Sequence, residues 1–183
     1  MLSQNTSSRS SWLPWLLTIA GFWLSGNVVI DFLVMPVMQV SGMTAQAEFA
    51  SAGYTLFWSF NRLELLCAAI LLTGVLALRS QRGEFGVVNS GSRCRWALAI
   101  GLGLLSLTLA DTYLLTPEMG AMALSLDWLT NDSAIAPAMN WLHGTYFSLE
   151  ALKLLCLGLL VRLCYLDLRD RDTLAMASVD LTV

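Results

Sequence analysis

The sequence predicts an all-α integral membrane protein, a four-helix bundle made of two tandem two-helix hairpin repeats. Three observations carry that prediction: an apolar majority with few charges, four apolar runs long enough to cross a bilayer, and basic residues confined to alternate loops. Of the 183 residues 56% are hydrophobic and only 13% charged, with a mean hydropathy of +0.65. A water-soluble domain carries about a quarter Asp, Glu, Lys and Arg, so the apolar excess here is matched to lipid. The net charge of −3 offers no basic field to a phosphate backbone, which excludes nucleic acid as a partner.

The first span is read as Pro14 to Pro36. Its apolar run is too long for the core of a cleaved signal peptide, only Arg9 precedes it, and no small-x-small site closes it. Residues 1–13 are then a short tail. In the following loop, Thr44 to Ala52 is expected to form a short helix, with Thr44 near its start and Gly53 after its end. Phe57 to Leu78 is the second span, Trp96 to Leu115 the third and Gly144 to Cys164 the fourth, so the membrane domain covers 14–164. Between the last two, Trp128, Met139 and Trp141 suit a segment at headgroup level, with Asn131 to Pro137 irregular. The tail 165–183 is polar and expected to be disordered after one turn of helix.

Orientation follows from Lys and Arg in the loops. Arg79, Arg82, Arg93 and Arg95 lie between spans two and three, and Arg162, Arg169 and Arg171 at the end of span four and beyond it. The segments Met38 to Leu56 and Glu118 to His143 hold no Lys or Arg, only Glu48, Glu118, Asp127 and Asp132. Both termini are therefore expected in the cytoplasm, in a plasma or inner membrane.

A repeat is visible within the chain. Phe57 to Glu64 aligns without gaps on His143 to Glu150, and Asp31 to Met38 aligns on Asp111 to Met119 with one residue inserted. Two spans return the chain to the same side, so the halves would be related by an axis along the membrane normal.

Ionisable residues inside spans cost at least about 2.5–3.5 kcal/mol each on insertion scales, so they mark a site or a buried pairing. Asp31, Glu64, Asp111 and Glu150 fall about 4–7 residues in from the outer ends of their spans, roughly 6–10 Å at ~1.5 Å per residue. His143 is one heptad before Glu150 and shares its helix face, Asn27 shares one with Asp31, and Asn61 lies on the same span as Glu64. Lys153 is placed to reach Glu150 or Asp111, while Arg62 points roughly opposite Glu64, near Trp58.

Two readings compete. In the first, these residues are an ion-pair and hydrogen-bond network that locks four helices together in a structural or assembly-type membrane protein, with Arg62 paired to Asp31 or Glu64 and Asn27 as interhelical glue. In the second, Asp31, Glu64, Asp111, His143 and Glu150 form an outward-facing polar cavity that binds or transports a proton or metal cation, with His143 at its mouth. Four carboxylates against Lys153 and Arg62 leave an excess of two negative charges, which calls for a proton, water or a cation.

Met35, Met38, Met43, Met119, Met122 and Met139 cluster toward the outer ends and would suit Cu(I), with apolar packing as the default for such residues. A single His gives little for haem, and no cofactor is expected. Cys67, Cys94, Cys156 and Cys164 form no close pair and are expected as packing residues. Gly21, Gly26, Gly101 and Gly103 are expected at close helix contacts. No Ser-His-Asp order, Gly-rich phosphate loop or His-Glu-x-x-His occurs, so no enzyme is expected. The expected partners are the lipid bilayer and a second copy or a larger membrane complex.

The fourth span opens Trp141-Leu142-His143-Gly144-Thr145-Tyr146-Phe147-Ser148-Leu149-Glu150, a His-Gly start with a polar residue seven after the His. This resembles the transmembrane-protein-205-like family, small four-helix membrane proteins whose shared domain has no assigned activity. The resemblance covers about Pro14 to Cys164, including the Pro36-Val37-Met38 end of span one. It implies the fold and no mechanism, and Glu150 stands where the family's pattern has an amide.

Overall fold

The structure, a computed structural model, describes residues 12–43, 49–81, 92–128 and 135–180. These form four long helical rods, and no strand occurs among the described residues. Rod 1 is α1 (Trp12–Val29), a π-helical turn (Ile30–Val34) and α2 (Met35–Val40). Rod 2 is α3 (Phe49–Gln81). Rod 3 is α4 (Ser92–Ala110), a second π turn (Asp111–Leu115) and α5 (Thr116–Trp128), and rod 4 is α6 (Ile135–Asp180). Three stretches, Leu13–Val40, Ser51–Ser80 and Arg93–Met122, are long and apolar enough to cross a membrane. The corresponding stretch of rod 4 carries Glu150, Lys153 and Arg162 among its apolar residues.

The four prolines explain where the rods are regular. Pro14 and Pro137 fall in the first turns of α1 and α6, where the missing N–H has no intrahelical acceptor to lose. Pro36 and Pro117 fall inside rods 1 and 3, where a ring would collide with the carbonyl four residues earlier. The chain widens just before each. Met35 N–H bonds back to the Ile30 carbonyl and Thr116 N–H to the Asp111 carbonyl, five residues instead of four. Rod 1 then stops at Gly42, whose φ of 74° is the left-handed conformation that ends a helix.

Rod 1 packs on rods 2 and 4, and rod 3 packs on the same two, so the rods close into a ring around one interior. Each gives that interior one stripe at three- and four-residue spacing. Rod 1 supplies Leu13, Leu16, Ala20, Trp23 and Asn27, and rod 4 supplies Tyr146, Glu150, Lys153, Leu157, Leu160 and Cys164. The outward surface is apolar as well: Trp15, Phe32 and Leu155 are 65%, 68% and 67% exposed. Helices apolar on both faces belong in lipid, since a water-soluble protein does not expose patches of that extent.

The interior is sorted along its length. At the end formed by Leu13, Leu78, Cys94 and Cys164 it is apolar, continuing through Leu16, Ala20, Leu71, Val75, Leu104, Leu157 and Leu160. Charged side chains follow, and then an amide-and-hydroxyl layer of Asn61, Thr116 and Tyr146. The apolar end carries Arg79, Arg93, Arg95 and Arg162 and is the basic end. There an exposed ion pair joins Arg93 to Asp170 at 2.5 Å.

Several expectations need correction. At 46 residues α6 is about 69 Å long and runs to Asp180, so the tail expected to be disordered is helical over 165–180, although many of its side chains lie outside the description. Phe49 to Ala52 belong to the first turn of α3, which continues through Gly53, so no separate short helix ends there; 44–48 lie outside the described residues. Residues 135–137 begin α6, and 129–134 are likewise outside the description. Rod 1 also extends past Pro36 to Val40, because the π turn absorbs the proline.

Of the glycines expected at close contacts, Gly26 approaches the Phe60 ring and Gly101 approaches Leu72, but Gly21 and Gly103 face open space. The tight positions are Gly74, where a β-carbon would run into Leu16 Cδ2, and Gly120, where it would lie 2.5 Å from two atoms of the Tyr54 ring. Gly120→Ala is expected to destabilise the purified protein in detergent by about 1–3 kcal/mol, the usual cost of overpacking. Gly103→Ala is expected to be neutral or stabilising by up to ~1 kcal/mol, from helix propensity alone. Denaturant unfolding monitored by circular dichroism checks both.

Candidate functional site

The centre of the interior is one ammonium group. Lys153 Nζ, with no exposed surface, lies 2.6 Å from Glu64 Oε2, 2.6 Å from Glu150 Oε1 and 2.9 Å from Asp111 Oδ2. The carboxylates come from rods 2, 4 and 3. Rod 1 joins through Asn27, whose Nδ2 donates to Glu64 Oε1 at 2.8 Å and to Glu150 Oε2 at 3.0 Å. Both neighbours accept only, which fixes the orientation of the amide. Trp23 Nε1–H donates to Glu64 Oε1 at 2.8 Å. Glu64 thus accepts from rods 1 and 4 together.

Helix spacing makes this arrangement. Glu150 and Lys153 are three apart and meet on one face of α6, while Trp23 and Asn27 are four apart on α1. A buried ammonium is sustained only with good geometry and satisfied partners, and Lys153 has both toward the two glutamates. Toward Asp111 the third ammonium hydrogen stands at ion-pair distance from Oδ2. Among the described residues, the buried side-chain oxygens left without a hydrogen-bond donor are Asp111 Oδ1, Asn27 Oδ1 and the Oδ2 of the partly exposed Asp31.

A second layer lies beyond the charges. Tyr146 O–H donates to Asn61 Oδ1 at 3.0 Å, and Asn61 Nδ2 donates to Thr116 Oγ1 at 2.6 Å, linking rods 4, 2 and 3. The Tyr146 ring meets Phe57 edge to face, with centroids 5.2 Å apart. Thr108 and Thr112 turn their hydroxyls back to Leu104 and Thr108 carbonyls, each satisfied within its own rod.

Of the residues expected at the site, the structure gathers Glu64, Asp111, Glu150, Lys153 and Asn27, sets Asp31 at the edge and puts Asn61 in the second layer. It does not bring in His143 or Arg62. His143 is exposed, and its Nδ1 lies 3.0 Å from the Met139 carbonyl one turn earlier on its own helix. Its face is right, but two turns carry it out of the packed interior. Arg62 stacks over the Trp58 ring, 3.8 Å from its centroid, and pairs with neither Asp31 nor Glu64 among the contacts described. Trp23, Thr116 and Tyr146 were not anticipated. Trp23 could have been found as the residue one turn before Asn27, and Tyr146 as one turn before Glu150.

Among the described residues, no group of three or more His, Cys, Asp and Glu side chains is arranged to hold a metal. Lys153 stands where the three carboxylates converge, which removes the natural seat for a cation. Cys67, Cys94 and Cys164 are buried and Cys156 is partly so, and none of the four is in a disulfide. No family model, curated protein or solved structure matches the chain.

Lys153→Met would strand the carboxylates without their counter-ion, and removing one partner of a buried pair costs about 3–5 kcal/mol. The variant is expected to lose most of its folded, monodisperse yield. Arg62→Met removes an exposed cation–π contact and is expected to change stability by under about 1 kcal/mol. Size-exclusion yield in detergent and thermal melting separate the two.

Proposed function

We propose that the protein is a structural or assembly-type component of a plasma or inner membrane, crossing it four times with both termini in the cytoplasm. The observation that carries this reading is the Lys153 cluster, in which every rod supplies a group and the internal cation is already part of the chain. Such a cluster fixes helix register and neighbour choice in a solvent where apolar contact alone does not distinguish one helix face from another. A metal-cation site is the weaker reading, because the ammonium fills the point of convergence.

The fourth span is the part of α6 that faces the other rods, from about Gly144 to Cys164. Its three charges do not oppose insertion, since Glu150 and Lys153 are neutralised inside and Arg162 sits near the basic end. The cytoplasmic placement rests on the arginines gathered at that end. No catalytic step is part of this proposal. The bilayer is the first partner, and the apolar outer faces suit a second copy or a larger complex.

We also read the two halves as a tandem repeat. Leu13, Ala20, Trp23 and Asn27 of rod 1 are buried at the same intervals as Cys94, Gly101, Leu104 and Thr108 of rod 3, and the two π turns stand equally far before Pro36 and Pro117. Glu64, Leu71, Gly74 and Leu78 correspond likewise to Glu150, Leu157, Leu160 and Cys164. In this register, without insertion, Asp31 pairs with Thr112 and Asp111 with Ile30. The earlier alignment of Asp31 on Asp111 is thereby shifted by one position, which turns the two side chains to different directions. The resemblance to transmembrane-protein-205-like proteins supports the same architecture and adds no activity.

Glu64→Gln combined with Glu150→Gln is expected to abolish assembly, and the wild type is expected to show no metal-dependent thermal shift. A cation-dependent shift that the double variant loses would sink the structural reading. Reporter tags at 41–43 and after Val183 are expected on opposite sides of the membrane, the latter in the cytoplasm. Protease protection in spheroplasts checks this.

A further inference from the structure

We propose that the Lys153 cluster is a proton-binding site, loaded through Asp31 from the face opposite the basic end and sealed toward the basic end. The side assignment rests on the four-span orientation proposed above; the proton occupancy does not.

Charge and unsatisfied acceptors point to the same ligand. The groups facing the cluster are Asp31 from rod 1, Glu64 and the Cys67 thiol from rod 2, Asp111 from rod 3, and Tyr146, Glu150 and Lys153 from rod 4. Arg62 is turned away onto Trp58. One ammonium therefore serves three carboxylates, with its hydrogen bonds to Glu64 and Glu150 at 2.6 Å and its third hydrogen toward Asp111 at 2.9 Å, and a fourth carboxylate, Asp31, stands at the edge. Asp111, with no exposed surface, holds Oδ2 2.9 Å from the ammonium and leaves Oδ1 without a donor. Independently of the acids, the fully buried Asn27 spends its Nδ2 hydrogens on the two glutamates and leaves Oδ1 without a donor.

With the third ammonium hydrogen serving Asp111 Oδ2 at 2.9 Å, the atoms left over are all acceptors, Asp111 Oδ1, Asn27 Oδ1 and Asp31 Oδ2, so the missing element is a hydrogen. Buried acceptors without donors are rare in native proteins, and several in one cluster call for a shared explanation. A metal ion would have to displace Lys153 from its three carboxylates. A proton fits: it reduces the charge excess and converts an acceptor oxygen into a donor. Asp31 is four residues from Asn27 on rod 1, and a proton on its buried Oδ2 turns one of the unsatisfied acceptors of that rod into a donor. The step is a simple transfer. A hydronium gives its proton to a carboxylate oxygen, the O–H bond forms and water is released.

The direction of loading follows from how the interior is sorted. From Lys153 toward the basic end, the rod 4 stripe is Leu157, Leu160 and Cys164, about 16 Å of apolar packing against Leu71, Val75, Leu104 and Leu16. No buried polar side chain among the described residues interrupts it. Away from that end lie the Asn61, Thr116 and Tyr146 layer and Asp31, the one carboxylate of the four with surface outside the interior. The π turn beginning at Ile30 holds Asp31 in this border position.

The test is infrared difference spectroscopy on the full-length protein, reconstituted in one orientation in liposomes. A protonated carboxylic acid C=O band is expected at neutral pH, and its intensity should change after a pH jump applied on the Asp31 side. Asp31→Asn should retain the folded protein and lose or strongly slow that response, whereas Asp31→Glu should restore it. Proton flux through the wild type should equal that of empty liposomes. Absence of any carboxylic acid band at neutral pH would overturn the proton occupancy. A response unchanged in Asp31→Asn would overturn the route, and proton flux above the empty control would overturn the seal. A band that responds only to jumps on the basic side would overturn the route as well, whereas tags showing inverted topology with the response still on the Asp31 side count against the proposed orientation alone and leave the site standing.

Discussion

An ammonium without water must have anions around it, and that requirement organises this protein. Lys153 brings Glu64, Asp111 and Glu150 from three rods to one point, while Asn27 and Trp23 tie the remaining rod to the same glutamates. The position of each rod along the interior is set by the need to present one oxygen or one N–H there. The leucines on either side pack in many registers with similar energies; the charges do so in one, because a displaced partner leaves a buried ion uncompensated. Stability and specificity therefore come from different residues. Apolar stripes supply contact, and the cluster selects the arrangement.

The two π turns show a second constraint at the same level. Each precedes a proline that an uninterrupted helix would not accommodate, and each re-aims the residues within it. In rod 3 the turn starts at Asp111 and points it inward to Lys153. In rod 1 it starts one residue before Asp31, which ends at the border of the interior. A one-residue difference corresponds to about 100° around a helix. It gives two similar halves unlike roles. The same asymmetry appears where rod 2 has Cys67 and rod 4 has Lys153. A second ammonium opposite the first would place like charges side by side in a low-dielectric interior.

Much of the architecture was legible because it depends on composition and period. The apolar spans, the arginines on alternate loops and the depth of the four acids needed no tertiary information, and the pairing of Lys153 with Glu150 followed from helical spacing, with Asp111 on another span as an alternative partner. Glu64 as a third partner did not, since nothing local relates Glu64 to Lys153. His143 misled for a related reason: the period placed it on the face of Glu150, but how far up a helix its neighbours extend is not a local property. Arg62 was placed near Trp58 by spacing alone, while the accompanying idea of a pair with Asp31 or Glu64 required a contact between rods.

The chain by itself determined the solvent, the helical class and which residues were too costly to be incidental, because transfer energies and a 3.6-residue period act residue by residue. The tertiary structure decided which of those residues meet. It chose Lys153 as the common centre, put Asp31 at the rim, sent Arg62 to an aromatic ring and left Asn27 with an acceptor to satisfy. Those outcomes depend on distances between rods of a few ångströms, and hydrogen bonds and ion pairs exist only at such range. The count of charges was written in the sequence; their pairing was a property of the fold.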